Sequence, residues 1–198
     1  MHKYTTAELV SQKLSKAKFK KLKRNPIVFI LHNIRSLENV GLFFRLADAI
    51  LAEKIYLTGY TGYPPLTNEQ LAMSNEQSDP RDPRIILHAE KEINKTAIKT
   101  VPFVPWEHVE NIHELTNQLT KNRYQLVGVE QTDISIDYRT TDYKLPTALL
   151  FGHERTGVEQ DILEKCDLVV HIPMLGMGNS HNVAMVGAII STHLLSSP

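Results

Sequence analysis

The chain has 198 residues, enough for one domain with a substantial core and too few for two full ones. Its 22 Lys/Arg and 22 Asp/Glu cancel, so no global field points to a nucleic-acid or membrane partner, and the single cysteine, Cys166, excludes an internal disulfide and argues against a cysteine-based zinc site. The N-terminal residues lack the apolar core of a secretory signal and no run approaches the roughly 18 apolar residues of a membrane span, so the expectation is a soluble, cytoplasmic protein with no membrane partner.

Charge is unevenly spread. Residues 13–24 hold seven Lys/Arg and no acid, leaving the remainder net acidic. Thr5 and Glu8 have capping-box spacing and predict a helix through this basic stretch until Asn25-Pro26 stops it. Residues 1–25 are therefore read as a basic helical extension and 26–198 as the main domain. Residues 27–31 are a continuous β-branched and apolar run, the pattern of a strand buried on both faces. A helix over 40–51 would place Val40, Phe43, Phe44, Ala47, Ile50 and Leu51 on one face, and Gly41, Arg45 and Asp48 on the other. Residues 54–57 read as a second strand. Residues 59–90, rich in Pro and polar residues, read as a long loop or lid with a short helix near 68–74. A helix over 107–122, strands at 125–129, 147–151 and 168–172, a helix over 158–165 and a last helix ending near Leu195 complete the alternation. Such alternation predicts an α/β fold with a parallel sheet flanked by helices, and ligands beyond the C-terminal ends of its strands.

Three segments follow predicted strands and carry candidate chemistry. The first is 39–48, Asn-Val-Gly-Leu-Phe-Phe-Arg-Leu-Ala-Asp, where Asn39 suits a helix N-cap and Arg45 projects from the polar face, within reach of Asp48 at i+3. The second is 151–157, Phe-Gly-His-Glu-Arg-Thr-Gly, a strand end and a turn bounded by glycines; His153 within it is read as structural. The third is 171–183, His-Ile-Pro-Met-Leu-Gly-Met-Gly-Asn-Ser-His-Asn-Val, which can offer backbone and helix-start donors to a ligand. Neither a dinucleotide fingerprint nor a P-loop is present. The nine histidines are scattered without metal spacing, so no metal is expected.

In residues and in order, these segments resemble the signature motifs of the SPOUT superfamily, specifically its SpoU/TrmH branch of S-adenosylmethionine-dependent RNA ribose 2′-O-methyltransferases, over about residues 26–195. The stretch 129–138 is also similar to the sheet edge ahead of the family's second motif. The resemblance implies a five- or six-stranded parallel sheet with a C-terminal deep trefoil knot, and S-adenosylmethionine as cofactor. By motif position that cofactor would meet Val129, Glu130, Gly152, Gly157, Ile172, Met174, Leu175, Ser180 and His181. Asn39, Arg45, Glu154, Ser180 and Asn182 match the polar catalytic positions. A guanidinium stays protonated at ordinary pH, so Arg45 is better suited to clamping a phosphate than to acting as a base. His181, where the family commonly has leucine, and Ala184, where serine is frequent, are departures. The implied partners are RNA, tRNA ahead of rRNA, and a second copy of the chain in a homodimer through the knot helices. RNA contacts are expected from Arg45 and from Lys16, Lys20, Lys21, Lys23 and Arg24. The alternatives are a non-catalytic knotted RNA-binding or assembly protein and a SPOUT enzyme that methylates an RNA base.

Overall fold

Uninterrupted apolar runs become the inner strands of the sheet, because strands covered by helices on both faces have no polar side to display. In a computed structural model describing residues 1–19 and 21–196, seven strands form one sheet with every pairing parallel. They are β1 (Asn25–His32), β2 (Ala52–Thr58), β3 (Trp106–Val109), β4 (Gln125–Val129), β5 (Ile136–Asp137), β6 (Thr147–Phe151) and β7 (Leu168–His171), in the order β3-β2-β1-β6-β4-β7-β5. The short edge strands β3 and β5 take the count above the expected five or six. Strand β6, late in sequence, is inserted between β1 and β4, with Ile27 opposite Thr147 and Leu31 opposite Phe151 on one side. Gln125 faces Thr147 on the other.

The helices are α1 (Thr6–Ser11), α2 (Lys16–Phe19), α3 (Leu37–Ala49), α4 (Asn68–Ser74), α5 (Pro83–Ala97), α6 (Ile112–Lys121), α7 (Gln160–Leu163) and α8 (Val183–Ser196). Alternation along β1 divides the core. Ile27, Phe29 and Leu31 join Phe43, Phe44 and Ile190, whereas Val28 and Ile30 join Leu115, Leu119 and Ile162. The Phe29, Phe43 and Phe151 rings pack at centroid distances of 5.4 and 4.9 Å around Phe43.

Several expectations are corrected. The capping box forms, with Glu8 accepting from the Thr5 N–H at 2.7 Å, but the single basic helix breaks into α1 and α2. Leu9, Leu14 and Leu22 stay 50, 50 and 39 % exposed, so no apolar stripe is buried to hold a long helix together. Strand β1 starts at Asn25, one residue inside the expected extension. Gly41 does not face solvent: a Cβ there would strike Thr96 and the Ile93 carbonyl of α5, so the glycine is what lets α3 and α5 approach. Helix α5, absent from the expected elements, takes up the last quarter of the supposed loop and continues past it. Pro83 stands at its first turn, behind the Asp82 cap that accepts from the Arg84 N–H at 2.8 Å, so this proline starts a helix rather than a turn. Residues 107–109 belong to β3, and α6 begins only after Asn111, whose side chain accepts from His113 N–H at 3.0 Å. Helix α7 is shorter than expected.

What remains of the long connection, 59–82, is pinned. The Arg81 guanidinium lies 3.5 Å from the Tyr63 ring centroid, grips Asp79 at 2.7 and 2.9 Å and donates to the Tyr63 and Pro64 carbonyls. The Arg81 hydrogen bond holds the Asp79 carboxyl down at about 2. A carboxyl depressed on folding stabilises the fold fully above its unfolded value, near 3.9, and that contribution is lost as pH falls toward about 2. Asp79→Asn is therefore expected to lower stability near neutrality and to flatten the acid limb between those two values, read by urea unfolding at a series of pH; an acid limb as steep as wild type would remove Asp79 from this role.

Candidate functional site

The turn after β6 is a closed device. The His153 N–H donates to the Gly157 carbonyl at 3.1 Å and the Gly157 N–H returns to His153 at 2.9 Å. Gly152 is required because a Cβ there would fall on the backbone of Gly157 and Val158, and Gly157 adopts φ +70°. The turn directs Glu154 at the start of α3. Its carboxylate accepts the Arg35 N–H at 3.0 Å, the Ser36 N–H at 3.0 Å and the Asn39 Nδ2 at 2.8 Å. A negative group at a helix start meets both unsatisfied N–H donors and the positive end of the helix dipole. Burial alone would raise the Glu154 carboxyl, but the backbone and Asn39 donors outweigh it and hold it below its usual range.

The chain of bonds continues. Asn39 Oδ1 accepts Asn182 Nδ2 at 2.9 Å, and Asn182 Oδ1 accepts the N–H groups of Ala184 and Met185 at 3.0 and 3.2 Å, opening α8. Asn39 is therefore not the cap of α3. That place belongs to Ser36, whose hydroxyl accepts the Asn39 N–H at 3.2 Å and frees the Asn39 amide to join Glu154 to Asn182. Three segments remote in sequence are thus tied by one polar relay at the C-terminal end of the sheet.

Two hollows flank the relay. One, of about 280 Å³, includes Val129, Glu130, Gly152, Gly157, Ile172, Ser180 and His181 in its lining, seven of the positions at which the resemblance expects the cofactor, with Phe151, Val183 and Val186 among its apolar walls. The Glu130 carboxylate is held there by the Gln131 and Val158 N–H groups at 2.9 and 3.1 Å. Met174 and Leu175, expected in the same place, are absent from this lining, and Leu175 is 96 % exposed because it points out of the 172–182 loop. The second hollow, about 310 Å³, is lined by Arg35, Ser36, Asn39, His153, Glu154 and Arg155. His153, Glu154 and Arg155 form the wall common to both. Arg35 and Arg155 were not singled out from sequence, although Arg155 lies inside the second motif.

Arg45 is not gathered into this cluster. It is exposed on the outer side of α3, and no ion pair joins it to Asp48 among the described residues. The basic segment lies at the other end of the sheet. The Arg24 guanidinium is committed to the Ala52 and Phe103 carbonyls at 2.9 and 2.6 Å, a packing role. Lys16 sits 5.9 Å from the Phe103 ring centroid, and Lys21 and Lys23 are exposed. Lys20 lies outside the described residues. The length of β1 separates this segment from Glu154 by roughly 25 Å. Among the described residues no helix is long and apolar enough to cross a membrane, and no three His, Cys, Asp or Glu side chains are grouped to hold a metal ion.

Comparison with known proteins agrees with the motifs. The model of the SpoU rRNA Methylase family matches residues 81–192. A tRNA (guanosine(18)-2′-O)-methyltransferase of Thermus thermophilus is 26 % identical over 172 residues, covering 85 % of this chain and 74 % of that protein. Among solved structures, the TrmH/SpoU tRNA modifying enzyme of A. aeolicus superposes with a TM-score of 0.68 at 21 % identity, covering 90 % of this chain and 81 % of the other. The SpoU methyltransferase AviRb of Streptomyces viridochromogenes, in complex with the cofactor AdoMet, gives 0.68 at 19 % identity over 94 % of this chain and 64 % of its own.

Replacing Asn39 by Asp would set two carboxylates against each other where an amide now donates at 2.8 Å. Asn39→Asp should cost about 1–3 kcal/mol near neutral pH and recover as the new carboxyl protonates on acidification. Unfolding curves that match wild type at both pH values would contradict the relay.

Proposed function

We infer, from the premise that this chain belongs to the SpoU rRNA Methylase family, that it transfers a methyl group from S-adenosylmethionine to a ribose 2′-hydroxyl of RNA, with tRNA as its substrate. The observation that carries the reading is the Glu154–Asn39–Asn182 relay, which joins all three motifs between two hollows of ligand size. The naming of the Thermus relative as a tRNA ribose methyltransferase supports the choice of acceptor.

The first hollow fits the donor chemically. Gly152 and Gly157 keep its wall clear of side chains, Val129, Ile172, Val183 and Val186 suit an adenine, and Glu130, Ser180 and His181 bring polar groups to its edge. When bound, S-adenosylmethionine supplies an already activated methyl group. The protein is left with alignment and with the proton of the attacking hydroxyl. Glu154 is a poor base, since the Arg35, Ser36 and Asn39 donors favour its charged form and hold its carboxyl below the usual range. Its role is to hold the start of α3 and the wall between the hollows in register. Asn182, through its two N–H contacts, sets where α8 begins beside Ser180 and His181. Arg45, exposed and always charged, clamps the phosphate next to the acceptor ribose, letting that phosphate or a water take the proton.

The same reading includes the trefoil knot, supported by the late insertion of β6 between β1 and β4 and by the passage of the chain from β7 to α8, which packs on Phe43 and Leu46 of α3. It also includes a cytoplasmic homodimer through α8 and the loop before it. There Leu175, Met177 and Met185 stand 96, 100 and 59 % exposed, apolar side chains that a second copy would cover. Lys16, Lys21 and Lys23 would meet phosphates of an RNA that extends past the acceptor nucleotide.

Labelled S-adenosylmethionine incubated with bulk tRNA and rRNA should label tRNA, and nucleoside mapping should return a 2′-O-methylated nucleoside. Donor binding without incorporation would favour an assembly protein, and a base-methylated product would overturn the ribose assignment. Arg45→Lys is expected to weaken RNA binding along with turnover; turnover lost at unchanged RNA affinity would turn the role toward direct proton transfer.

A further inference from the structure

Tyr60, on the turn after β2, belongs to none of the three motifs. Its ring is 63 % exposed at the end of the sheet that carries Glu154. Single exposed aromatic rings are ordinary. What sets this one apart is the polar scaffold, rooted in the buried His32, Thr58 and Thr61, that fixes the backbone beneath it. The Tyr60 N–H donates to Asn33 Oδ1 at 3.1 Å, Asn33 holds φ +57° and Gly59 φ +62°. The Asn33 amide is itself held by Glu159 at 2.8 Å and lies 3.0 Å from Nε2 of His32, whose buried ring meets Thr58 Oγ1 at 2.7 Å. On the other side, the Thr61 hydroxyl donates to the Leu31 carbonyl and accepts the Ile34 N–H, both at 2.9 Å. Thr58 and Thr61 are 0 and 1 % exposed, so a rigid turn presents one ring to water.

The Tyr60 ring stands edge-on to His153, with centroids 6.2 Å apart and planes at 70°. His153 Nδ1 accepts the N–H groups of Arg155 and Thr156, each at 3.1 Å. A backbone N–H can only donate, so the imidazole proton is placed on Nε2. The same His153 lines the second hollow, where Arg35 and Arg155 are exposed and have no ion pair among the described residues. An aromatic ring edge-on to His153, beside a hollow whose wall holds that imidazole and two uncommitted guanidinium groups, offers the chemistry of a nucleotide site.

We propose that Tyr60 is the stacking platform for a nucleobase of the RNA acceptor, with Arg35 and Arg155 holding its phosphate in the hollow shared through His153. The proposal rests on the RNA-methyltransferase reading and deepens it. Because the turn is held rigid before RNA arrives, stacking would require little ordering of the protein. A π-face accepts any base, so the platform contributes affinity and placement, leaving base identity to other contacts.

Tyr60→Trp places a second indole at this spot, and the native Trp106 is 9 % exposed and buried in the core. Titration with an unmodified tRNA transcript should quench the new fluorescence with the same Kd that anisotropy reports. Tyr60→Ala should raise the RNA Kd and KM about tenfold. Its kcat and S-adenosylmethionine affinity should stay at wild-type values, and Tyr60→Phe should behave as wild type. RNA binding unchanged in Tyr60→Ala, or binding without quenching in Tyr60→Trp, overturns the platform while leaving the enzymatic reading intact. A wild-type protein that neither binds nor methylates tRNA overturns that reading and the platform with it.

Discussion

A single carboxylate holds the functional end of this molecule together. Glu154 leaves β6, meets two backbone N–H groups at the mouth of α3 and, through the Asn39 amide, reaches Asn182 at the mouth of α8. A half-buried carboxylate without donors would be costly; with these donors its charge is favoured by the helix it caps from outside. Each amide in the relay has its donor toward an acceptor and its acceptor toward a donor, so the geometry allows one arrangement of the three segments. The two hollows inherit their positions from it.

That carboxylate can be where it is only because β6 lies between β1 and β4. The insertion sets the 152–157 turn beside the turn that follows β1, and close contacts at glycine do the rest. Gly152 admits the backbone of Gly157 and Val158, and Gly187 lets α8 settle on Phe43. The same parallel arrangement separates functions by end: strand C-termini carry the relay, while Arg24 fastens the basic segment near their N-termini. Arg45, one face removed from Asn39 on α3, remains at the surface.

The inner strands were legible because burial on both faces leaves an unbroken apolar run, as in β1, β4 and β6. Edge strands were not. Trp106 to Val109 is short and half-polar, and merges by spacing with the helix behind it, while the two-residue β5 carries almost no pattern of its own. Helix α5 was hidden by Pro83, a residue that breaks helices inside and starts them at the first turn. At the site, motif order pointed to Asn39, Glu154 and Asn182, while local spacing gave Asn39 the task of a cap. Spacing along one segment shows only nearby partners, and the true partners of Asn39 are 115 and 143 residues away.

By itself the sequence determined the fold class, the inner strands, α8 and the three segments that matter, because burial periodicity and short polar motifs are local properties of a chain. It also determined that Gly152 and Gly157 flank a tight turn. Tertiary structure alone decided that Ser36 caps α3 so that Asn39 can bridge, that Leu175 faces outward, that Arg24 serves packing, and that His153, Arg35 and Arg155 line one hollow with Tyr60 edge-on to His153. Those outcomes depend on which strands become neighbours, and pairing across a sheet is set by the global packing of both faces, which no local pattern encodes.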